Sequence, residues 1–273
     1  MSARLARTFA ARRAAGEAAL VPFFTAGDPD LATTRELVRA AVAAGADAIE
    51  LGVPFSDPMA DGPVLQRASG RALRAGTTLR SVLELAAALR GDHPDVPLVL
   101  FGYYNPYFRY GLAQVARDAA RAGVDAFLCV DLPLEEAGDL RAATAAEGLD
   151  LIALLAPTTP PARIKRIARN ASGFLYFVSV LGTTGARATL PPNLPDLVAR
   201  VRALTTLPVG VGFGVSRPEQ AAWIAGFADA VVVGSAVARV IEEAPPAEVV
   251  PRVEAFVRGL HGAMAARSPA AAG

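Results

Sequence analysis

The chain has 273 residues, is 53% hydrophobic and carries a formal net charge of +1. That length accommodates one large α/β domain or two small ones, and the near-neutral charge gives no pull toward nucleic acid or an anionic bilayer. No window approaches the ~18 continuous apolar residues of a membrane helix, and a single cysteine, Cys129, excludes an internal disulfide and fits a reducing, cytoplasmic setting.

The first fifteen residues are rich in Ala and Arg and poor in acids. They superficially resemble a transit peptide, but the expectation here is an amphipathic helix covering one end of the fold. Apolar runs then recur along the chain and predict eight strands, near 19–24, 48–52, 97–101, 126–130, 151–155, 174–178, 208–212 and 230–233. Cys129 falls in the fourth run and reads as a small buried hydrophobe. Between the runs lie stretches rich in Ala, Leu and Arg, which predict helices over 31–44, 78–90, 111–122, 135–147 and 161–170. Residues 266–273 read as a frayed tail, which leaves 1–265 as one domain.

One phrase repeats: a helix, a Gly, a spacer, an Asp, then an apolar run. It occurs at Gly45-Ala46-Asp47, Gly123-Val124-Asp125 and Gly148-Leu149-Asp150, with a looser copy from Gly226 to Asp229. Gly is the usual residue just past a helix end because it takes positive φ at little cost. The runs lack polar alternation, as expected for parallel strands covered on both sides. Alternating strands and helices imply right-handed crossovers. Eight such units, with no linker between them, predict a closed (β/α)8 TIM barrel in a single domain with an extra N-terminal helix.

In such barrels the chemistry sits at the C-terminal ends of the strands. There the stretch from Ile49 to Pro63 stands out. Glu50 lies in its apolar part, at the end of the second strand, and Asp61 lies in the Pro- and Gly-rich loop that follows. Glu is seldom buried without a reason, so a strand carboxylate facing a loop carboxylate suggests an acid/base pair. Tyr103 and Asn105 follow the third strand, Asp131 follows the fourth, and Tyr176 lies in the sixth. Each also has a plain structural reading: loop ordering for Tyr103 and Asn105, a turn for Asp131, core packing for Tyr176, and a solvated loop acid for Asp57.

The connections after strands six, seven and eight are glycine-rich: Gly182-Thr183-Thr184-Gly185, Gly212-Phe213-Gly214-Val215-Ser216 and Gly234-Ser235. Glycine lets backbone N–H groups approach an anion, and a helix starting at Ser235 presents unpaired donors. Three clusters at one end predict phosphate binding. The inventory narrows the chemistry. The single lysine, Lys165, falls in a helix, which argues against a Schiff base. His93 sits at the opposite end and His261 in the C-terminal helix, which argues against a histidine metal site or a Ser-His-Asp arrangement. Carboxylate acid/base catalysis remains, with no metal and no cofactor called for.

These residues resemble the tryptophan synthase alpha subunit family from about Pro22 to Glu242. The motif from Glu50 to Gly62 carries the resemblance, with Pro22-Phe23-Phe24-Thr25-Ala26-Gly27-Asp28-Pro29, Gly102-Tyr103-Tyr104-Asn105-Pro106 and Gly212-Phe213-Gly214-Val215-Ser216. The resemblance implies retro-aldol cleavage of indole-3-glycerol phosphate to indole and glyceraldehyde 3-phosphate. It implies Glu50 as the group protonating indole C3 and Asp61 as the carboxylate that helps remove the indole N–H proton, with Tyr176 beside them. Phe23, Phe101 and Leu128 then match or neighbour the apolar wall around indole. Gly185, Phe213, Gly214, Gly234 and Ser235 match phosphate binders. Thr184 matches a lid threonine that meets Asp61 when a loop over 179–192 closes. Pro54 to Pro58 matches a surface that meets the beta subunit, in an alpha2beta2 heterotetramer that passes indole through a tunnel. The chain departs from some members in the lid, Ser179 to Thr184, and in a loop after strand three that is richer in aromatics and proline.

Two other functions stay open on sequence alone. One is a different phosphate-sugar barrel enzyme, an isomerase or an indole-forming synthase, although the latter would want a pocket lysine. The other is a non-catalytic barrel that activates a beta partner. A glycosidase would also use two carboxylates, but it has little need of three glycine-rich phosphate loops.

Overall fold

The computed structural model describes residues 1–179, 190–212 and 214–266. Eight parallel strands close in chain order: β1 (Ala19–Thr25), β2 (Ile49–Gly52), β3 (Leu98–Gly102), β4 (Ala126–Cys129), β5 (Asp150–Leu155), β6 (Leu175–Val178), β7 (Val209–Gly212) and β8 (Ala230–Val233), with β8 pairing back onto β1. The barrel and the position of each strand match the sequence expectation. Strand residues of one parity pack inward (Val21, Phe23, Val99, Phe101, Leu128, Tyr176). Those of the other parity pack outward under the helices (Leu20, Ile49, Leu51, Leu100, Phe127, Val211). Burial on both faces is why the strands read as unbroken apolar runs.

The outer layer holds the five expected helices with shifted ends: α2 (Leu31–Ala43), α4 (Leu79–Asp92), α6 (Leu112–Arg121), α7 (Gly138–Ala146) and α8 (Pro161–Asn170). α7 starts three residues later than expected because the segment after Pro133 is spent in turns, with Glu136 N–H on Pro133 O. Four helices were not foreseen: α3 (Pro63–Arg74), α5 (Tyr104–Tyr110), α9 (Leu194–Arg202) and α10 (Pro218–Ala225). α11 (Ser235–Glu243) starts where the sequence placed it, and α12 (Val249–Ala265) packs on α2 and α10. Among the described residues no helix is long and apolar enough to cross a membrane.

The N-terminal residues form α1 (Ala3–Ala14), which seats Leu5 and Phe9 against the inner cluster, with the Phe9 ring 5.6 Å from Phe174. This end of the barrel, opposite the strand C-termini, is held by the repeated aspartates. Asp47 accepts the Leu20 N–H at 2.9 Å, Asp125 that of Leu98 at 3.0 Å, and Asp229 that of Val209 at 2.9 Å. Between β5 and β6 the Ser172 hydroxyl takes the same place, accepting from Leu151 at 3.0 Å. Each clamp thus ties the start of an odd-numbered strand to the residues leading into the next even-numbered one. Asp125, 2% exposed, also accepts from Arg90, Arg4 and Ser2, so it secures the segment ahead of α1.

Candidate active site

Glu50 is the second residue of β2 rather than its end, and it pairs in register with Phe23 of β1 and Val99 of β3. That parity turns its side chain into the barrel. It is 1% exposed, and neither carboxylate oxygen has a hydrogen-bond partner among the described residues. Burial alone pushes its carboxyl up to about 8. A carboxylate in that setting would lack both solvent and a counter-charge, so at pH 7 the group is held mainly neutral.

Asp61 lies ten residues on, after a loop that leaves β2 with the Val53 N–H on Phe101 O at 2.8 Å. Asp61 N–H donates to Pro58 O, and Gln66 of α3 donates to Asp61 O. Its carboxyl is pushed up to about 6 by burial, against a lowering hydrogen bond from the Tyr103 hydroxyl. It therefore remains mostly ionised at neutral pH.

The two carboxyls line one narrow cavity with Phe23, Phe101, Tyr176, Gly214, Gly234 and Ser235, all anticipated, and with Leu65, Val215 and Val232, which were not. The Phe23 and Phe101 rings meet edge-on at 5.1 Å. Glycines make room for the aromatic wall. A Cβ on Gly52 would lie 2.3 Å from the Phe23 ring, and one on Gly212 would lie 2.0 Å from the Tyr176 hydroxyl. Tyr176 is wholly buried, and burial together with the nearby Glu50 charge drives its phenol well above the usual range. Leu128 belongs to the inner cluster but does not line this cavity. Thr184, Gly185, Phe213 and most of the expected lid (180–189) lie outside the described residues.

The end of the cavity where the sequence placed a phosphate is formed by Gly214, at φ 78°, and by the N-terminus of α11, where Gly234 is the cap residue. The first N–H groups of a helix have no intrahelical partner and carry its positive dipole end. α11 is braced from behind. Arg71 of α3 holds Asp28, in the loop after β1, at 2.7 and 2.9 Å, and Glu242 of α11 at 2.7 Å. Arg67 adds two further bonds to Glu242, and the pair of arginines holds that carboxyl down to about 2.

Other sequence candidates go elsewhere. Asn105 and Asp57 are exposed, and Asp131 accepts the Tyr104 N–H at 2.8 Å, a tie to the start of α5 rather than the local turn weighed for it. Lys165 is exposed on α8. Tyr103, left open between loop ordering and function, is 2% exposed and bonded to Asp61. A larger hollow of about 510 Å³ lies at the rim beside β4, β5, α7 and α8. Its charged groups are already engaged, Arg163 with Glu135, Arg141 with Asn170 and Asp131 with Tyr104. The narrow cavity with its unpartnered glutamic acid is therefore the better candidate.

The family model for tryptophan synthase alpha chain matches residues 9–265. A tryptophan synthase alpha chain from Citrifermentans bemidjiense is 54% identical over 257 residues, covering 94% of this chain and 96% of that one. One from Chloroflexus aurantiacus is 52% identical over 262 residues, covering 96% and 98%. Among solved structures, the tryptophan synthase alpha chain of Legionella pneumophila is 37% identical with a TM-score of 0.90, covering 98% of this chain and 99% of that one. A Mycobacterium tuberculosis tryptophan synthase structure is 38% identical with a TM-score of 0.88, covering 97% and 99%.

Proposed function

Since the chain belongs to the tryptophan synthase alpha chain family, whose reaction is the cleavage of indole-3-glycerol phosphate to indole and glyceraldehyde 3-phosphate, we propose that Glu50 and Asp61 perform that carbon–carbon bond cleavage as an acid/base pair. The observation that carries the assignment is the unpartnered, fully buried Glu50 carboxyl.

Indole C3 is a poor leaving carbon until it is protonated. Glu50, neutral at pH 7, supplies that proton, which makes the ring an indolenine-like cation. Ionised Asp61 favours this positive ring from the side of the indole N–H. The electrons of the C3–glycerol bond then flow into the ring and restore neutral indole. The substrate hydroxyl on the departing carbon loses its proton as its oxygen becomes the aldehyde oxygen. Glu50, now a carboxylate, takes that proton and is regenerated, so the cycle balances. Tyr176 lines the same cavity as Glu50, and its phenol is raised by burial and by the nearby Glu50 charge. Phe23 and Phe101 supply the apolar wall on which the ring rests, Leu128 packs behind them, and Gly214, Gly234 and Ser235 offer backbone donors to the phosphate. Thr184, Gly185 and Phe213 are assigned to lid and phosphate contacts from the family motif. The cavity is narrow, so the indole ring must displace side chains such as Leu65 as it enters.

The partner assigned is a tryptophan synthase beta subunit, in an alpha2beta2 heterotetramer, docking on Pro54 to Pro58. Exposed Met59 in the same loop and exposed Phe108 on α5 support an apolar contact at this rim. A cytoplasmic location accords with the lone buried Cys129. The test is an indole-release assay on indole-3-glycerol phosphate, with and without added beta subunit. Indole formation that the beta subunit accelerates is the expected result. Absence of indole in both arms would overturn the assignment.

A further inference from the structure

The second carboxylate of the site depends on a residue from the neighbouring strand. Tyr103 directly follows β3, and its ring lies 5.2 Å from that of Phe55 in the loop after β2. Its hydroxyl accepts the Ala60 N–H at 3.0 Å and donates to the Asp61 carboxylate. A phenol has one donor and two lone pairs, so one hydroxyl can do both at once. Residues 55, 60 and 61 are thereby gripped by one side chain that is 2% exposed.

We propose that Tyr103 is the positioning residue for Asp61: its hydroxyl fixes the loop that carries this carboxylate and stabilises it in the charged form that cleavage requires. The inference rests on the proposed role of Asp61. The ionisable groups around the site support it. Glu50 faces the cavity from β2 and Tyr176 from β6. Asp131, after β4, acts on Tyr103 rather than on Asp61. No arginine or lysine lines the cavity among the described residues. Burial opposes the Asp61 charge, and the Tyr103 hydroxyl is the group that acts against burial.

The experiment is the pH profile of kcat/KM for indole release by the Tyr103→Phe variant, which keeps the ring and removes the hydroxyl. The acid limb, set by Asp61 near pH 6, should move up by about one pH unit. Activity would then fall roughly fivefold at pH 6 relative to the parent and hardly change from this cause at pH 8. The alkaline limb, set by Glu50, should stay where it is. A loss of the same size at every pH, with an unmoved acid limb, would mean that Tyr103 only shapes the loop, and it would overturn the proposal. Should Tyr103→Phe fail to fold, 3-fluorotyrosine placed at position 103 provides the opposite perturbation. It is a stronger donor, so the acid limb must move down, and an unmoved limb again overturns the proposal. In the Asp61→Asn background, Tyr103→Phe should produce no change in the pH profile. A parent enzyme that releases no indole would refute the functional assignment itself, a result distinct from any of these.

Discussion

Replacing Glu50 by Gln keeps the size of the side chain and abolishes its titration, so the pair of proteins isolates the cost of burying this carboxyl. In the fold the group titrates at about 8 against an ordinary 4.5. Below pH 4.5 it is neutral in both folded and unfolded chains and costs nothing. As pH rises from there the unfolded chain loses the proton first, so stability falls by about 1.4 kcal/mol per pH unit until pH 8 and then levels. The full span is about 5 kcal/mol as an upper bound, and roughly 3 kcal/mol of it falls between pH 5.5 and 8.5. Urea unfolding of both proteins at those two pH values measures the effect, because all other titrations are shared and cancel in the difference. The stability of Glu50→Gln relative to the parent should rise by about 3 kcal/mol across the interval, whatever the offset from the new amide. A gap that stays constant would show that Glu50 titrates normally in the fold, and the acid role assigned to it would fall. The same variant should bind substrate yet lose at least the ~10²-fold expected for a positioned acid.

Three further changes probe other parts of the site and frame. Asp61→Asn should fold normally and lower the rate of indole release by about 10²–10⁴-fold; a near-normal rate would remove Asp61 from the chemistry. Gly234→Asp should also fold, since a Cβ there meets Phe23 only at an ordinary 3.5 Å. Its carboxylate would repel phosphate at the start of α11, so calorimetric titration with glycerol phosphate should show binding by the parent and none by the variant. Asp125→Ala leaves the buried Leu98 N–H without its side-chain acceptor and removes the carboxylate paired with half-buried Arg90, which keeps its carbonyl partners Gly123, His93 and Val96. It should cost about 1–3 kcal/mol in urea unfolding without altering the pH profile of catalysis.

Much of the frame was legible because its signals are local. The strands show themselves as apolar runs because both faces are covered, and the repeated Gly and Asp mark where helices stop and strands begin. α3 was missed because Ser69 and Gly70 interrupt its helical pattern, although Pro63 is a favourable first residue. α5 is short and aromatic, with Pro106 tolerated because it lies in the first turn. Within the site, Glu50 and Asp61 stood out as carboxylates in apolar or stiff surroundings, and Gly234 and Ser235 as glycine-rich helix entry. Leu65 and Val232 looked like any other core residue, and only barrel closure brings them to the cavity. The Tyr103–Asp61 bond spans 42 positions and depends on how the loop after β2 leans over β3, which no spacing rule encodes. What the aspartates of the repeat do was equally hidden. Their register against the preceding strand becomes visible only once the strands are aligned.

That register divides the ring into four two-strand modules, each closed within itself by an Asp or Ser bond, with plain seams between them. A circularly rearranged chain whose new ends open a seam, such as the turn around Gly148 between α7 and β5, leaves every module whole. One opened at Gly123 puts Leu98 and Asp125 at opposite extremes of the chain, and the β3–β4 module must then be closed across the entire molecule. The seams are therefore the places where this barrel can be cut, joined or extended at least expense, and they lie at the end away from the chemistry.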